Sequence, residues 1–355
     1  MKQINFATAT SLMSILALTV VSAHAASGLD TNSAQSGYST LSYKVAHHEQ
    51  MLDGAIWYPA EQGGEAFNTG ENPVFYGTDV QKDASVLSGT YPLILMSHGL
   101  GGNIKGLSWF NSALAKRGAI VISVDHPHSS TFSFDFNKGL RHWTRAYDFS
   151  RVLDEVLSDP RFSMHIDQSQ ITAAGFSYGG WTALSLGGVR GDRDGYIDHC
   201  KDVGPLSSHC GDIEQAGVSL TDYALDDWNK SYKDTRFSKV IAIDPGLHYG
   251  IQKEGVADLS AETLLIGLGE GDDRILAADF AETGSGFASL VPNAKIKYFA
   301  PAYHFSMLPL CKPEGEAILV EEKDDPVCTD RKGGDRAQLH QAIIDDVAQF
   351  IGLED

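Results

Sequence analysis

Short, wholly apolar runs alternate with amphipathic stretches along this chain. Tyr91 to Met96, Ala119 to Val124 and Ile171 to Phe176 are continuous apolar segments, the pattern of strands buried on both faces of a parallel sheet. Between them, residues from about Leu107 to Lys116 predict one helix. Ala146, Phe149, Val152, Leu153, Val156 and Leu157 recur at helical spacing and predict another. Strand, helix, strand, helix, strand in this order predicts a mostly parallel, doubly wound α/β sheet with helices on both faces. Further strands are expected at Val240 to Ile243, at Thr263 to Ile266 and around Ile296 to Phe299. A closing helix is expected from Arg336 to Ile351, with Ile343, Ile344, Val347, Phe350 and Ile351 on its buried side. Near the start, Leu41 to Val45 and Gly54 to Pro59 predict an antiparallel pair at a sheet edge, after a polar arm at Ser27 to Ser39. Ala60 to Thr90, rich in Gly, Asn and Asp, reads as a surface excursion.

The pattern breaks between about residues 188 and 238. That stretch holds Cys200, Cys210, many acids and the aromatics Tyr223, Trp228 and Tyr232. It is expected to be an insertion over the functional site, a lid pinned by a Cys200–Cys210 disulfide, within a single domain spanning 26–355. Cys311 and Cys328 form a second near pair, and an even cysteine count suits an oxidising compartment. His199-Cys200 and His209-Cys210 lack C-x-x-C spacing, so zinc is not expected there. Asp192, Asp194 and Asp198 cluster as calcium ligands do, without the full twelve-residue pattern.

The N-terminus agrees with export. Lys2 precedes the apolar Leu12 to Val21, and Ala23-His24-Ala25 is a small-x-small cleavage signal, so residues 1–25 read as a signal peptide. The apolar run is too short to span a bilayer stably, and no cysteine follows it to carry a lipid anchor. A periplasmic or secreted protein is expected. The formal charge of -19 in 355 residues excludes a basic nucleic-acid groove and electrostatic attraction to anionic membranes.

The sharpest motif is Gly175-Phe176-Ser177-Tyr178-Gly179, a G-x-S-x-G turn after an apolar strand and before a helix. A serine on such a turn has its hydroxyl pushed clear of the sheet, and the flanking glycines avoid collisions with strand and helix. A serine hydroxyl needs a base, and the base needs a carboxylate to fix its tautomer. With this elbow the chain order is serine, acid, histidine. Of the later histidines, His340 lies inside the last helix and His248 leaves little room for an acid before it. His304, just past the last strand, is the expected base. Asp244 and Asp272 both follow strand ends and both can supply the acid. Tyr178, after the nucleophile, and Leu100, in His98-Gly99-Leu100-Gly101-Gly102 after the first central strand, are the expected backbone donors to a developing oxyanion.

Tyr91 to Gly101 closely resembles the oxyanion strand and loop of the secreted platelet-activating-factor acetylhydrolases and their bacterial relatives labelled predicted dienelactone hydrolases. Similarity continues through Leu114 to Val121, Asp148 to Leu157, Gly175 to Gly180, Ala242 to Pro245 and His304-Phe305. The resemblance implies an α/β-hydrolase fold and ester hydrolysis without a metal or other cofactor. It implies Ser177 as nucleophile, His304 as base, Asp244 as acid, and Leu100 and Tyr178 as oxyanion donors. Polyester-degrading cutinases are more distant cousins that place the acid after the next strand, where Asp272 matches. True dienelactone hydrolases use a cysteine where this chain has Ser177. The leading expectation is therefore an exported serine esterase for small-molecule, short-acyl or lipid-like esters. The alternatives are a cutinase-like polyester hydrolase using Asp272, and a hydrolase-like binding module without catalysis.

Overall fold

The structure, a computed structural model, describes residues 34–353, and the segment expected to be a signal peptide lies outside the described residues. Among these residues ten strands form one sheet: β1 (Gln35–Tyr43), β2 (Leu52–Ala60), β3 (Glu65–Thr69), β4 (Thr78–Lys82), β5 (Tyr91–Ser97), β6 (Ile120–Val124), β7 (Ile166–Phe176), β8 (Lys239–Ile243), β9 (Glu262–Leu268) and β10 (Lys295–Phe299). Across the sheet they run β3-β4-β1-β2-β6-β5-β7-β8-β9-β10. From β6 to β10 every neighbour is parallel, while β2 is antiparallel to both β6 and β1. The helices are α1 (Ser108–Lys116), α2 (Phe136–Gly139), α3 (Trp143–Ser158), α4 (Tyr178–Gly187), α5 (Arg193–Val203), α6 (Ser208–Gln215), α7 (Leu225–Asn229), α8 (Phe287–Leu290), α9 (Gly315–Glu322) and α10 (Arg336–Ile351).

The wholly apolar run in β5 follows from the sheet being covered on both faces. Its side chains alternate between faces. Leu93 and Leu95 join Phe149, Val152 and Val156 of α3 and Trp181 and Leu184 of α4 in one apolar cluster. Ile94 and Met96 join Phe110 and Leu114 of α1 and Ile343, Val347 and Phe350 of α10 in the other. Parallel central strands therefore carry no polar face, and a continuous hydrophobic run is the consequence.

Two departures from the sequence pattern concern the first third of the chain. The β1–β2 pair is interior, because the segment read as a surface excursion contains the β3–β4 hairpin, and β4 adds to β1 outside it. Four of the five β3 residues are exposed, so no apolar alternation marks the strand. Its anchor is aromatic: Tyr38 of β1 stacks on Phe67 at 5.6 Å and meets Trp57 edge-on at 5.3 Å. β1 also begins inside the polar arm, where Ser36 and Ser39 are buried and Ser39 donates to Asp83 Oδ1 at 2.8 Å.

The 188–238 stretch folds into α5, α6 and α7. It is packed on the body, since Tyr196, Ile213, Tyr223, Trp228 and Tyr232 belong to the α3–α4 apolar cluster. The Cys200–Cys210 disulfide joins α5 to α6, and Cys311 is bonded to Cys328. The Asp192, Asp194 and Asp198 run does not form a calcium loop, because α5 starts inside it. Asp192 caps the helix through the Gly195 N–H, Asp194 pairs with Arg193, and Asp198 pairs with Lys201. No helix among the described residues is long and apolar enough to cross a membrane.

Phe149 is fully buried at the contact of α3 with the sheet. Phe149→Ala is expected to lower stability by about 3–5 kcal/mol, the cost of the lost transfer energy plus the cavity left behind. Urea denaturation of wild type and variant measures it directly.

Candidate active site

The β7 strand ends in a turn that only small neighbours permit. Ser177 sits at φ 58°, ψ -122°, a conformation unfavourable for any residue with a Cβ. A Cβ on Gly175 would lie 2.1 Å from the Gly179 carbonyl oxygen, and one on Gly179 would lie 2.0 Å from the Ser97 carbonyl oxygen. The turn is clamped on both sides: Ser177 N–H donates to Ile243 O at 2.9 Å, and Gly246 N–H donates to Ser177 O at 3.2 Å. Both partners lie at or just past the end of β8, so the neighbouring strand holds the serine in place.

Three polar side chains meet there. His304, on the turn after β10, has Nε2 3.0 Å from Ser177 Oγ and Nδ1 2.7 Å from Asp244 Oδ2. A carboxylate can only accept, so Nδ1 carries the proton and Nε2 is free to accept from the serine hydroxyl. Asp244 directly follows β8 with φ 46°, and its second oxygen accepts from the Leu268 N–H at 2.9 Å. Asp244 and His304 are both buried, and the imidazole packs tilted against Phe176 at 4.6 Å. Asp272 lies elsewhere, exposed on a single helical turn past β9. His248 is buried among Tyr249, Phe280 and Phe287, and His340 stacks on Trp109 while its Nε2 donates to Ser306 O. Neither reaches the serine row.

The loop after β5 approaches the serine closely, as a Cβ on Gly99 would be 3.2 Å from Ser177 Cβ. Leu100 and Tyr178 both border the cavity that holds Ser177 and His304. Tyr178 is the first residue of α4, where a helix has no internal acceptor for its N–H. Behind the loop lies a buried polar network. Arg145 of α3 donates to Ser97 Oγ at 2.9 Å, to Ser129 Oγ at 2.8 Å, to Thr182 Oγ1 at 3.0 Å and to His98 O. Its guanidinium also lies 4.7 Å from the centre of the Tyr178 ring. Burial lowers its pKa to about 10, which leaves it charged at neutral pH. Burial and the nearby Arg145 charge push the His98 imidazole well below its usual range. It stays neutral, with Nε2 accepting from the His126 N–H and Nδ1 donating to Gly99 O. Both sides of the loop after β5 are thereby fixed by groups that do not line the cavity.

The cavity is about 290 Å³. Leu100, Leu247, Ile275, Ala278 and Phe305 supply apolar wall, and α6 contributes Ser208, His209 and Asp212. His209 carries a signal that sequence did not give. Its Nδ1 lies 2.6 Å from the Tyr196 hydroxyl, and its buried Nε2 has no hydrogen-bond partner. Burial lowers its pKa to about 4, so the ring is neutral. Burial also raises the Tyr196 phenol, which stays protonated and donates to Nδ1, leaving the proton of His209 on Nε2. In sequence His209 reads only as a neighbour of Cys210; the paired phenol thirteen residues earlier on α5 gives it meaning.

The serine row and the loop after β5 stand at the C-terminal ends of parallel strands in the order β1-β2-β6-β5-β7-β8-β9-β10, with one antiparallel strand, β2, beside β6. The chain has the α/β-hydrolase fold. The sequence pattern of the family platelet-activating factor acetylhydrolase, isoform II, matches residues 76–145, which hold β5, the loop after it, α1 and β6. A ferulic acid esterase from Streptomyces cinnamoneus superposes with a TM-score of 0.57 at 16% identity, over 89% of this chain and 89% of that one. The esterase Est22 matches at 13% identity over 90% of this chain and 80% of that one, with a TM-score of 0.47. No curated protein sequence matches the chain.

The packing of the turn makes a sharp prediction about its second glycine. Gly179→Ala puts a methyl into the Ser97 carbonyl, a backbone group that cannot move without displacing β5. It is expected to abolish soluble, folded protein or to lower the melting temperature by about 4 °C or more, roughly 3 kcal/mol or more for a chain of this size. Soluble yield and a thermal melt read this out.

Proposed function

We propose that this protein is an exported serine carboxylic-ester hydrolase that works through an acyl-enzyme, with Ser177 as nucleophile, His304 as general base and Asp244 as the acid that orients it. The single observation that carries the reading is the row Ser177 Oγ, His304 Nε2, His304 Nδ1, Asp244 Oδ2, with separations of 3.0 Å and 2.7 Å at its two hydrogen bonds. Ser177 Oγ attacks the ester carbonyl as its proton passes to His304 Nε2. The imidazolium so formed is stabilised by Asp244. Negative charge on the carbonyl oxygen is taken up by the Leu100 and Tyr178 backbone N–H groups. Losing one such donor costs about 3–4 kcal/mol of barrier. Collapse expels the alcohol, which takes the proton from His304. Water then gives a proton to His304, attacks the acyl carbon and releases the carboxylic acid, restoring Ser177.

The cavity supports a substrate class. Its small size and mixed wall suit short-acyl or compact lipid-like esters rather than a polymer chain. The helices α5 to α7 act as a lid, fixed by the Cys200–Cys210 disulfide and bringing α6 over the serine. Phe134 and Phe136 pack ring to ring at 6.1 Å, and Phe136 lies 6.4 Å from the His209 ring, so the aromatic loop after β6 abuts the lid. His209 Nε2–H, unpartnered at the cavity wall, donates to an oxygen of the bound ester. Export is supported by two disulfides and by the small-x-small signal at Ala23-His24-Ala25.

Hydrolysis of p-nitrophenyl esters of graded acyl length tests the reading. Wild type is expected to favour short chains. Ser177→Ala is expected to lower kcat by roughly 10⁵-fold or more and Asp244→Asn by roughly 10⁴-fold. Asp272→Asn is expected to stay within about twofold of wild type, since its side chain is exposed and outside the row. A crippled Asp272→Asn with an active Asp244→Asn would move the acid to the cutinase position. A wild type that neither turns over any ester nor labels at Ser177 with a fluorophosphonate would make the protein a binding module.

His209→Ala tests the lid contact. One lost neutral hydrogen bond of about 0.5–1.5 kcal/mol is expected to raise KM roughly two- to tenfold with kcat nearly unchanged. Steady-state kinetics on the preferred ester measure both constants, and an unchanged KM would remove His209 from the substrate contacts.

A further inference from the structure

We propose that His47, His48 and Asp148 form a binding site for a divalent transition metal of the zinc class, separate from the serine row. Asp148 lies on α3 and is fully buried. Its Oδ1 is 2.7 Å from His47 Nε2 and 2.9 Å from His48 Nε2. The three atoms lie within 4.8 Å of one another, and among the described residues this is the one group of three or more close His, Cys, Asp or Glu ligand atoms. None of the three residues lines the cavity at Ser177.

Two features set this cluster apart from ordinary satisfaction of a buried carboxylate. The first is redundancy. His126 Nδ1 already donates to Asp148 Oδ2 at 2.8 Å, yet two further imidazoles converge on the other oxygen. The second is placement. His47 and His48 are consecutive residues on the turn between β1 and β2, and consecutive side chains in extended backbone point apart. Here the turn aims both Nε2 atoms at one oxygen, with the rings 4.4 Å apart. The His47 side chain is 26% exposed, so water could serve its N–H equally well.

Two imidazole nitrogens and one carboxylate oxygen are the donor set that zinc and its neighbours accept. Calcium and magnesium prefer oxygen alone. A tetrahedral ion about 2.0–2.1 Å from each ligand needs the ligand atoms about 3.3 Å apart, so each ring backs away from Oδ1 by about half an ångström. The rings sit on a surface turn flanked by clefts of about 640 Å³ and 450 Å³, both lined in part by His47, which admit the ion and a water as fourth ligand. Binding is balanced for neutral rings: the proton on each Nε2 is replaced by the metal and each ring carries its proton on Nδ1 instead. Asp148 remains a carboxylate.

The remaining bonds of Asp148 give the site an outer shell of the kind that orients metal ligands. His126 holds Oδ2, and its Nε2 is 2.9 Å from Ser97 Oγ, which also accepts from Arg145. A metal at Asp148 would thus tie the β1–β2 turn to the network behind the oxyanion loop. It acts as a clamp and takes no part in the ester chemistry, so the inference stands apart from the esterase reading.

The test uses the full-length mature protein without a histidine tag, stripped with a chelator and titrated with Co²⁺ and then Zn²⁺. Expected are visible d–d absorption bands that saturate at one equivalent of Co²⁺, displacement by Zn²⁺, and a melting temperature a few degrees higher with zinc bound. His47→Ala, at a partly exposed position, is expected to keep the metal-free melting temperature and to weaken metal binding by about 100-fold or more. His48→Ala, at a buried position, is expected to lower the metal-free melting temperature and likewise to weaken metal binding, while His165→Ala, on the helical turn before β7, binds as wild type. The proposal is overturned by a wild type with no cobalt bands and no zinc shift, by one-equivalent binding that survives His47→Ala, or by binding that is lost in His165→Ala.

Discussion

Ser177 is held where a side chain normally refuses to sit, and much of the sheet's central architecture keeps it there. A φ of 58° with ψ of -122° costs of order 1–3 kcal/mol, so surrounding contacts must over-determine it. They come from three directions. β8 supplies the carbonyl of Ile243 and, through the chain that follows it, the N–H of Gly246. β5 supplies the Ser97 carbonyl, against which Gly179 is packed with no room for a methyl. α4 begins at the next residue and is buried along its whole length. The chain leaves β5 for β6 on one side and later returns to β7 on the other, which opens a crevice at the strand ends where open α/β sheets bind ligands. Strain and crevice therefore occur at one place because the same strand neighbours produce both.

The second constraint is a set of buried charges that the apolar pattern hides. α3 shows a clean stripe of Ala146, Phe149, Val152, Leu153 and Val156, yet Arg145 and Asp148 on the same helix are equally buried. An isolated charge in such a place is expensive. Arg145 is compensated by three hydroxyls and a carbonyl. Burial alone would raise the Asp148 carboxyl, but hydrogen bonds from His126, His47 and His48 hold it below the usual carboxylate range. Two of the Arg145 bonds end on Ser97 and His98, at the start of the loop that faces Ser177. The network behind the site is thus a structural support whose failure would be felt at the loop.

What the sequence made legible follows the same division. Continuous apolar runs located β5, β6, β7 and β8 because both faces of those strands are covered, and the stripe of α10 was readable because one face packs on the sheet. The β3–β4 hairpin was not readable, since its residues are exposed and its hold on β1 is a ring stack rather than a period. The turn at Ser177 was readable because sterics demand glycine at both flanks. Asp244 and Asp272 could not be separated by spacing, as both follow strand ends. The difference lies in strand order: β8 is the direct neighbour of β7, and Asp244 leaves it with one oxygen locked by Leu268 N–H and the other turned to His304. Arg145, Asp148 and His209 acquire meaning only from partners far along the chain, which no local pattern carries.

Electrostatics narrows what the cavity can accept. Asp212 and Asp325 border it, and the carboxyl of each is raised by burial and by a neighbouring carboxylate, Asp325 acting on Asp212 and Asp324 on Asp325. The whole chain adds a formal charge of -19. In their ionised forms Asp212 and Asp325 set like charge against a substrate that bears its own carboxylate. A neutral or cationic ester meets no such repulsion. The asymmetry extends to turnover. Ester hydrolysis turns a group that is uncharged at its reacting end into a carboxylate, and ionised Asp212 and Asp325 would disfavour its retention. His209, kept neutral by burial, adds a hydrogen-bond donor to the wall without adding positive charge. On the cavity wall His209 is thus a neutral donor beside two carboxylates, Asp212 and Asp325.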